Sequence, residues 1–239
     1  MNTSKQAPLI NDYLKTAWIL KIRLQSCRKL LWKNTFSIID FEFAALQNRK
    51  SIEAVSQLCL LLAEIEFEDL PARIRNAYKT DEILKYLKRI DKLKIPNFAR
   101  LDLVSEQSLK NGPRNWRLDI TPSGDEDFTK ILAIHSNTQK ILHDRKSYYN
   151  AIDRTLQVET MFPILNTIRS ENQWMWNRFW QHHTTLRDQL FFINLGPAES
   201  TSCPTVISEK TLSPVEVDLD FLPESFADFT SPVTWETES

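Results

Sequence analysis

Thr80-Asp-Glu-Ile-Leu-Lys-Tyr-Leu-Lys-Arg-Ile-Asp-Lys-Leu93, then Ala99-Arg-Leu-Asp-Leu-Val104 and Asn115-Trp-Arg-Leu-Asp-Ile120, is the stretch that decides how this chain folds. The first piece is helical. At about 100° per residue Ile83, Leu87, Ile90 and Leu93 gather on one side, and Lys85, Lys88, Arg89 and Lys92 on the other. Thr80 is placed to cap it, with Asp81 and Glu82 near its positive end. After Pro96 the period changes from 3.6 to 2, so the next two pieces read as half-buried strands. Ser105–Arg114 joins them with Asn111-Gly112-Pro113 as turn chemistry. Ser123-Gly-Asp-Glu126 then has capping-box spacing, and the helix it opens extends toward Tyr149.

Outward from this stretch the chain reads as helices. Leu9, Tyr13, Leu14, Ala17, Leu20 and Leu24 mark an amphipathic helix from Pro8 to about Lys33. A shorter helix covers Phe36–Gln47. Ser51 caps another running to Phe67, and Pro71 opens a short one. One or two more helices are expected between Thr155 and Ile193, kinked at Pro163. From residue 197 the composition turns to Pro, Ser, Thr and acids, too poor in apolar residues to offset the entropy of ordering, which predicts a disordered tail.

Composition narrows the function classes. Only three glycines occur in 239 residues, which disfavours phosphate-cradling loops and turn-rich β folds. The net charge of −1 hides segregation: residues 71–117 carry 12 bases against 5 acids, and residues 197–239 carry 1 base against 9 acids. Cys27, Cys59 and Cys203 follow no spacing pattern, no secretory core follows Met1, and the longest apolar run is Leu58–Ala63. The expectation is a cytoplasmic protein with no membrane segment. His182 and His183 are read as neighbours on a helix, pointing about 100° apart. His135 and His143 stand two turns apart, so no metal or other cofactor is expected. No nucleophile elbow, Walker loop or paired-carboxylate motif is present, and no catalytic residue is expected.

Leu84-Lys-Tyr-Leu-Lys-Arg-Ile-Asp-Lys-Leu-Lys-Ile95 resembles the end of a recognition helix, and Trp116-Arg-Leu-Asp-Ile-Thr-Pro-Ser-Gly124 the second strand of a wing. On these residues the span 51–124 resembles the winged helix-turn-helix superfamily, regulators of the MarR and PadR kind in particular. The glycine that usually ends such a helix is replaced by Leu93-Lys94. The resemblance implies a helix in the major groove of double-stranded DNA and a wing on phosphates or the minor groove. It offers Lys85, Lys88, Arg89 and Lys92 on the helix and Lys110, Arg114 and Arg117 on the wing. Independently of family, a basic stripe beside a basic loop is the surface that replaces condensed counterions on DNA.

The fold expected is therefore mainly α: N-terminal helices over 1–50, a winged-helix-like module with a small β-ribbon over 51–124, helices over 125–196, and a disordered acidic tail over 197–239. Trp174, Trp176 and Trp180 form with Phe179 the densest aromatic patch, a core or a dimer seam, with Trp174 turned toward a partner. In the tail, Phe221 and Phe229 stand among acids in a segment suited to docking on a protein partner. The function expected is transcription regulation by a DNA-binding homodimer. The alternative is a non-catalytic adaptor that uses the same surfaces to assemble a protein complex.

Overall fold

The computed structural model describes residues 6–33, 37–67, 70–77, 79–103, 116–143, 154–186, 189–196, 205–208 and 211–215. Helices dominate: α1 (Gln6–Leu31), α2 (Ile38–Glu66), the single-turn α3 (Ala72–Arg75), α4 (Thr80–Arg89), α5 (Asp125–His143) and α6 (Arg154–Phe179). The strands are β1 (Asn97–Leu103), β2 (Trp116–Thr121), β3 (Gln181–Leu186), β4 (Gln189–Asn194), β5 (Thr205–Ser208) and β6 (Thr211–Val215). They form one antiparallel sheet in the order β2-β1-β3-β4-β5-β6.

α1 and α2 form an antiparallel hairpin, and the apolar positions read in the sequence face inward. Tyr13, Leu14, Ala17, Leu20 and Leu24 of α1 meet Val55, Leu58, Leu62 and Ile65 of α2. Ile83, Leu84 and Leu87 of α4, Ile131 and Ile134 of α5, Met175 and Phe179 of α6, and Ile193 after β3 close the same core. Each large aliphatic or Phe side chain among them contributes about 1.5–3 kcal/mol by leaving water. A second cluster, with Cys27, Leu31, Phe41, Ala45, Leu165 and Ile168, fills the far end of the hairpin.

Several local expectations need correction. The two helices expected over 36–67 are one. Ser51 sits buried inside α2 and bonds back to the carbonyl of Gln47 at 2.9 Å, while the cap is Ser37, locked in a capping box with Asp40. The expected boundary at 50/51 thus lies within a helix. Thr80 is the first residue of α4 rather than its cap, and its hydroxyl meets that of Ser56 on α2 at 3.3 Å. The helices expected up to Ile193 end at Phe179, and β3 and β4 follow. Thr184 with the run Phe191-Phe-Ile193 favours a pleated surface. Residues 205–208 and 211–215, read as disordered tail, form β5, which pairs with β4, and β6, which pairs with β5; Pro214, which lacks an N–H, lies on the edge strand. Phe221, Phe229, Tyr149 and the turn residues 104–115, with Lys110 and Arg114, lie outside the described residues. Among the described residues, no helix is long and apolar enough to cross a membrane.

A polar relay crosses the helical core. Glu171 on α6, only 2% exposed, accepts from Asn137 Nδ2 of α5 (2.8 Å) and from Asn48 Nδ2 of α2 (3.2 Å). Burial outweighs these bonds and pushes the carboxyl up to about 6. The folded state therefore holds the proton more tightly than the unfolded chain, whose value is near 4.5. The stabilisation is fully present below pH 4.5 and is lost as pH rises through about 6. We expect the wild type to lose about 2 kcal/mol between those limits from this group, read by urea unfolding, and Glu171→Gln to remove that dependence.

α4 ends without a glycine. Asp91 takes the left-handed conformation at φ 55°, Asp91 N donates to Lys88 O (3.1 Å) and Lys92 N to Leu87 O (2.9 Å). These two bonds make the Schellman closure that a glycine usually serves. Asp tolerates the conformation at a cost, so Asp91→Gly is expected to raise stability by about 0.5–1 kcal/mol in the same unfolding assay.

Candidate nucleic-acid interface

α4 turns its basic residues outward because Ile83, Leu84 and Leu87 are fully buried on the opposite side. The three cations Lys85, Lys88 and Arg89 are exposed, and each already has a neighbour. Lys85 Nζ lies 3.4 Å from Asp81, one turn earlier. Lys88 Nζ lies 2.8 Å from Asp125 at the start of α5 and 4.2 Å from the centre of the Phe128 ring. Arg89 covers Tyr86, with its guanidinium carbon 5.1 Å from the ring centre. Lys92 departs from the expected stripe. It stands past the end of α4, half-buried, with Nζ 4.5 Å above Phe67.

The ribbon follows at once. β1 and β2 pair in antiparallel register, Phe98 opposite Thr121 and Leu103 opposite Trp116, which sets Arg117 across from Asp102. The other edge of β1 is taken by β3, through Asn97 and His183, and Phe98 and His182. The wing-like hairpin is therefore the outer end of a larger sheet.

What fixes the hairpin and α5 against the core is a residue that the sequence reading did not single out. Arg178, in the last turn of α6 and 8% exposed, reaches into the turn between β2 and α5. Its Nη2 donates to Ser123 Oγ (2.7 Å), Asp127 Oδ2 (2.8 Å) and Pro122 O (3.1 Å), and Nη1 to Thr121 O (3.4 Å). Asp127 also accepts the N–H of Gly124 at 2.9 Å, so the reciprocal half of the expected capping box falls one residue later, on Gly124 and Asp127. Ser123 is occupied elsewhere: its hydroxyl donates to Pro96 O (2.7 Å) and its N–H to Asn97 Oδ1 (2.8 Å). The one available signal was an Arg set between Trp176 and Phe179 in the aromatic end of the helix.

Between the end of α4, the start of α5 and β3 lies a cleft of about 660 Å³. Lys88, Lys94, Asn97, Asp125, Phe128 and His183 line it, so both signs of charge meet there. Lys94 is held by Glu66 of α2 at 2.6 Å. Asn97 Nδ2 donates to His183 Nδ1 at 3.3 Å, and burial pushes the His183 imidazole down from its ordinary value.

The two histidines expected on a helix stand on β3. His182 is fully buried, with Nδ1 bonded to Phe179 O (2.8 Å) and Nε2 to the Tyr13 hydroxyl (2.9 Å). Burial depresses its imidazole to about 4 and raises the Tyr13 phenol, so both are neutral hydrogen-bonding groups of the core. The aromatic patch packs on its own chain. Trp176 and Trp180 stack with centroids 3.8 Å apart, Arg28 of α1 lies 4.8 Å from the Trp176 ring, and Trp174 meets Phe179 edge-on. All three Trp residues are half-buried against the core.

No family model matches the chain, and no curated protein or solved structure matches it.

Arg178→Met is expected to cost about 3–5 kcal/mol in urea unfolding, because Asp127 loses its buried cation and two carbonyls lose a donor. Arg178→Lys should recover only part, since a point charge does not reproduce the guanidinium fork.

Proposed function

We propose that the chain is a cytoplasmic, non-catalytic transcriptional regulator that binds double-stranded DNA through a winged helix and acts as a homodimer, with its acidic tail docking on a protein partner. The observation that carries this reading is the outward face of α4. Lys85, Lys88 and Arg89 stand exposed on a helix whose other side is anchored in the core, preceded by α3 and followed directly by an antiparallel ribbon. That order of elements is the one on which a winged helix presents its binding surface. The ion pairs on this face are exposed, each worth about 0–1 kcal/mol, so a phosphate can displace the carboxylate.

The same pairs favour a second reading. Asp81 and Asp125 already answer two of the three exposed cations, which lowers the field offered to a polyanion and suits an adaptor that meets a protein surface of mixed charge.

Fluorescence anisotropy with a generic duplex, repeated from low to moderate salt, separates the two. For the regulator, log K should fall linearly with log salt. The double variant Lys88→Ala/Arg89→Ala should make that slope shallower by about 1 per lost phosphate contact. Its melting curve should stay that of the wild type, whereas Leu87→Ala should cost about 2–5 kcal/mol as a core cavity. Wild-type protein that leaves the duplex unbound at low salt removes the regulator and leaves the adaptor.

A further inference from the structure

Over residues 39–46 α2 is apolar on the face turned away from the core as well as on the face turned toward it. Ile39, Phe43 and Leu46 are 61%, 52% and 37% exposed, and on a wheel they fall with Lys50 on one line. Ile19 of α1 extends the patch, one turn before Arg23, which donates to Gln47 beside Leu46 at 2.9 Å. Isolated exposed apolar residues are ordinary, but a stripe at i, i+4 and i+7 on a helix already buried on its other side is a seam.

We propose that this stripe is the two-fold contact between two copies of the chain, with α2 packed antiparallel on its own mate. The charges beside the stripe select the occupant. Glu42 and Arg49 lie on the same flank, the acid toward the N-terminal end and the base toward the C-terminal end, where Glu53 already holds Arg49 at 3.0 Å and Lys50 at 2.7 Å in solvent-accessible pairs that a mate's carboxylate can join. In an antiparallel pair related by a two-fold axis, equal flanks face each other and every contact occurs twice. With the axis near residues 44–46, Phe43 of one copy meets Leu46 of its mate. Ile39 lies on the aliphatic stem of Lys50, and Glu42 reaches Arg49. A parallel mate brings opposite flanks together instead, setting Glu42 beside Asp40. The apolar layers and the ion pairs thus agree on one orientation, and a second copy supplies both in matching register. The contact is at the small end of specific interfaces, so association in the micromolar range is expected. It stands apart from the DNA reading, since none of its residues lies on α4 or the ribbon.

The test is sedimentation equilibrium on the full chain from about 1 to 200 µM. A monomer–dimer equilibrium is expected for the wild type, with Phe43→Glu weakening it at least tenfold while the melting curve stays unchanged, because Phe43 is exposed. Glu42→Arg and Arg49→Glu should each weaken dimerisation, and the double variant should return it to within about threefold of wild type. Phe43→Cys/Leu46→Cys should give a disulfide-linked dimer on mild oxidation, where Phe43→Cys alone gives far less. Overturning results are a monomer mass throughout, which a tail or foreign protein seated on the stripe would also give, a dimer indifferent to Phe43→Glu, or a charge reversal that fails to restore it. None of these results bears on duplex binding, which the salt titration reads by itself.

Discussion

The buried guanidinium of Arg178 is the contact on which the arrangement around α4 depends. A charged group this far from water is tolerated only where most of its donors are answered, and here three acceptors and a carboxylate within residues 121–127 answer Nη1 and Nη2, while Nε has no partner among the described residues. The consequence is geometric. The turn at residues 121–127 is where β2 ends and α5 begins, so one side chain at the end of α6 fixes both to the helical core. Asn97 and Pro96 are drawn into the same knot through Ser123, which sets where β1 starts. The position of Asp125 against Lys88, and with it the charge on the outer face of α4, follows from a residue more than fifty positions later in the chain.

The elements legible in the sequence were those whose stability is local. α4 shows its two faces because a 3.6-residue period holds over the whole segment, and the switch to a period of two after Pro96 marks the ribbon just as clearly. Where tertiary packing overrides a local signal, the reading failed. Ser51 has good capping chemistry, yet one face of α2 is buried without a break from Phe41 through Ala44, Asn48, Ile52 and Val55 to Leu62, so α2 runs through it and the hydroxyl turns back on its own helix. β3 was hidden because its alternation is masked. His182, His183 and Thr184 are all buried, one against Tyr13 and another against Asn97, so polar residues occupy both faces. β5 and β6 lie in acidic, proline-rich surroundings whose average composition outweighed a short β-branched run.

The candidate site divides in the same way. That Lys85, Lys88 and Arg89 share an outward face follows from sequence spacing alone. Their ion pairs do not. Asp81 on Lys85 is a one-turn neighbour and could be read from the chain, but Asp125 on Lys88 joins residues 37 apart and exists only because Arg178 places the start of α5 there. Lys92 shows the opposite failure: the helix closes at Asp91 in a left-handed turn, so extrapolating the helical wheel past Ile90 assigns Lys92 to a face it has left.

These details bear on how strongly the α4 face attracts a polyanion. Three exposed cations with two carboxylates in contact leave a weak local field, and helix α4 by itself offers few counterion-releasing contacts. Strong duplex binding therefore requires further cations to act together with α4, and the chain carries them near the ribbon at Arg100 on β1 and in the basic residues of the 104–117 segment. A protein partner makes no such demand. Mixed charge with half-buried aromatics beside it, as in Lys88 over Phe128 and Arg89 over Tyr86, suits an interface in which salt bridges exchange between subunits at little net cost. The two readings thus differ in which part of the chain must supply the energy. A regulator leans on the ribbon and its turn. An adaptor needs only the face that Arg178 already holds in place.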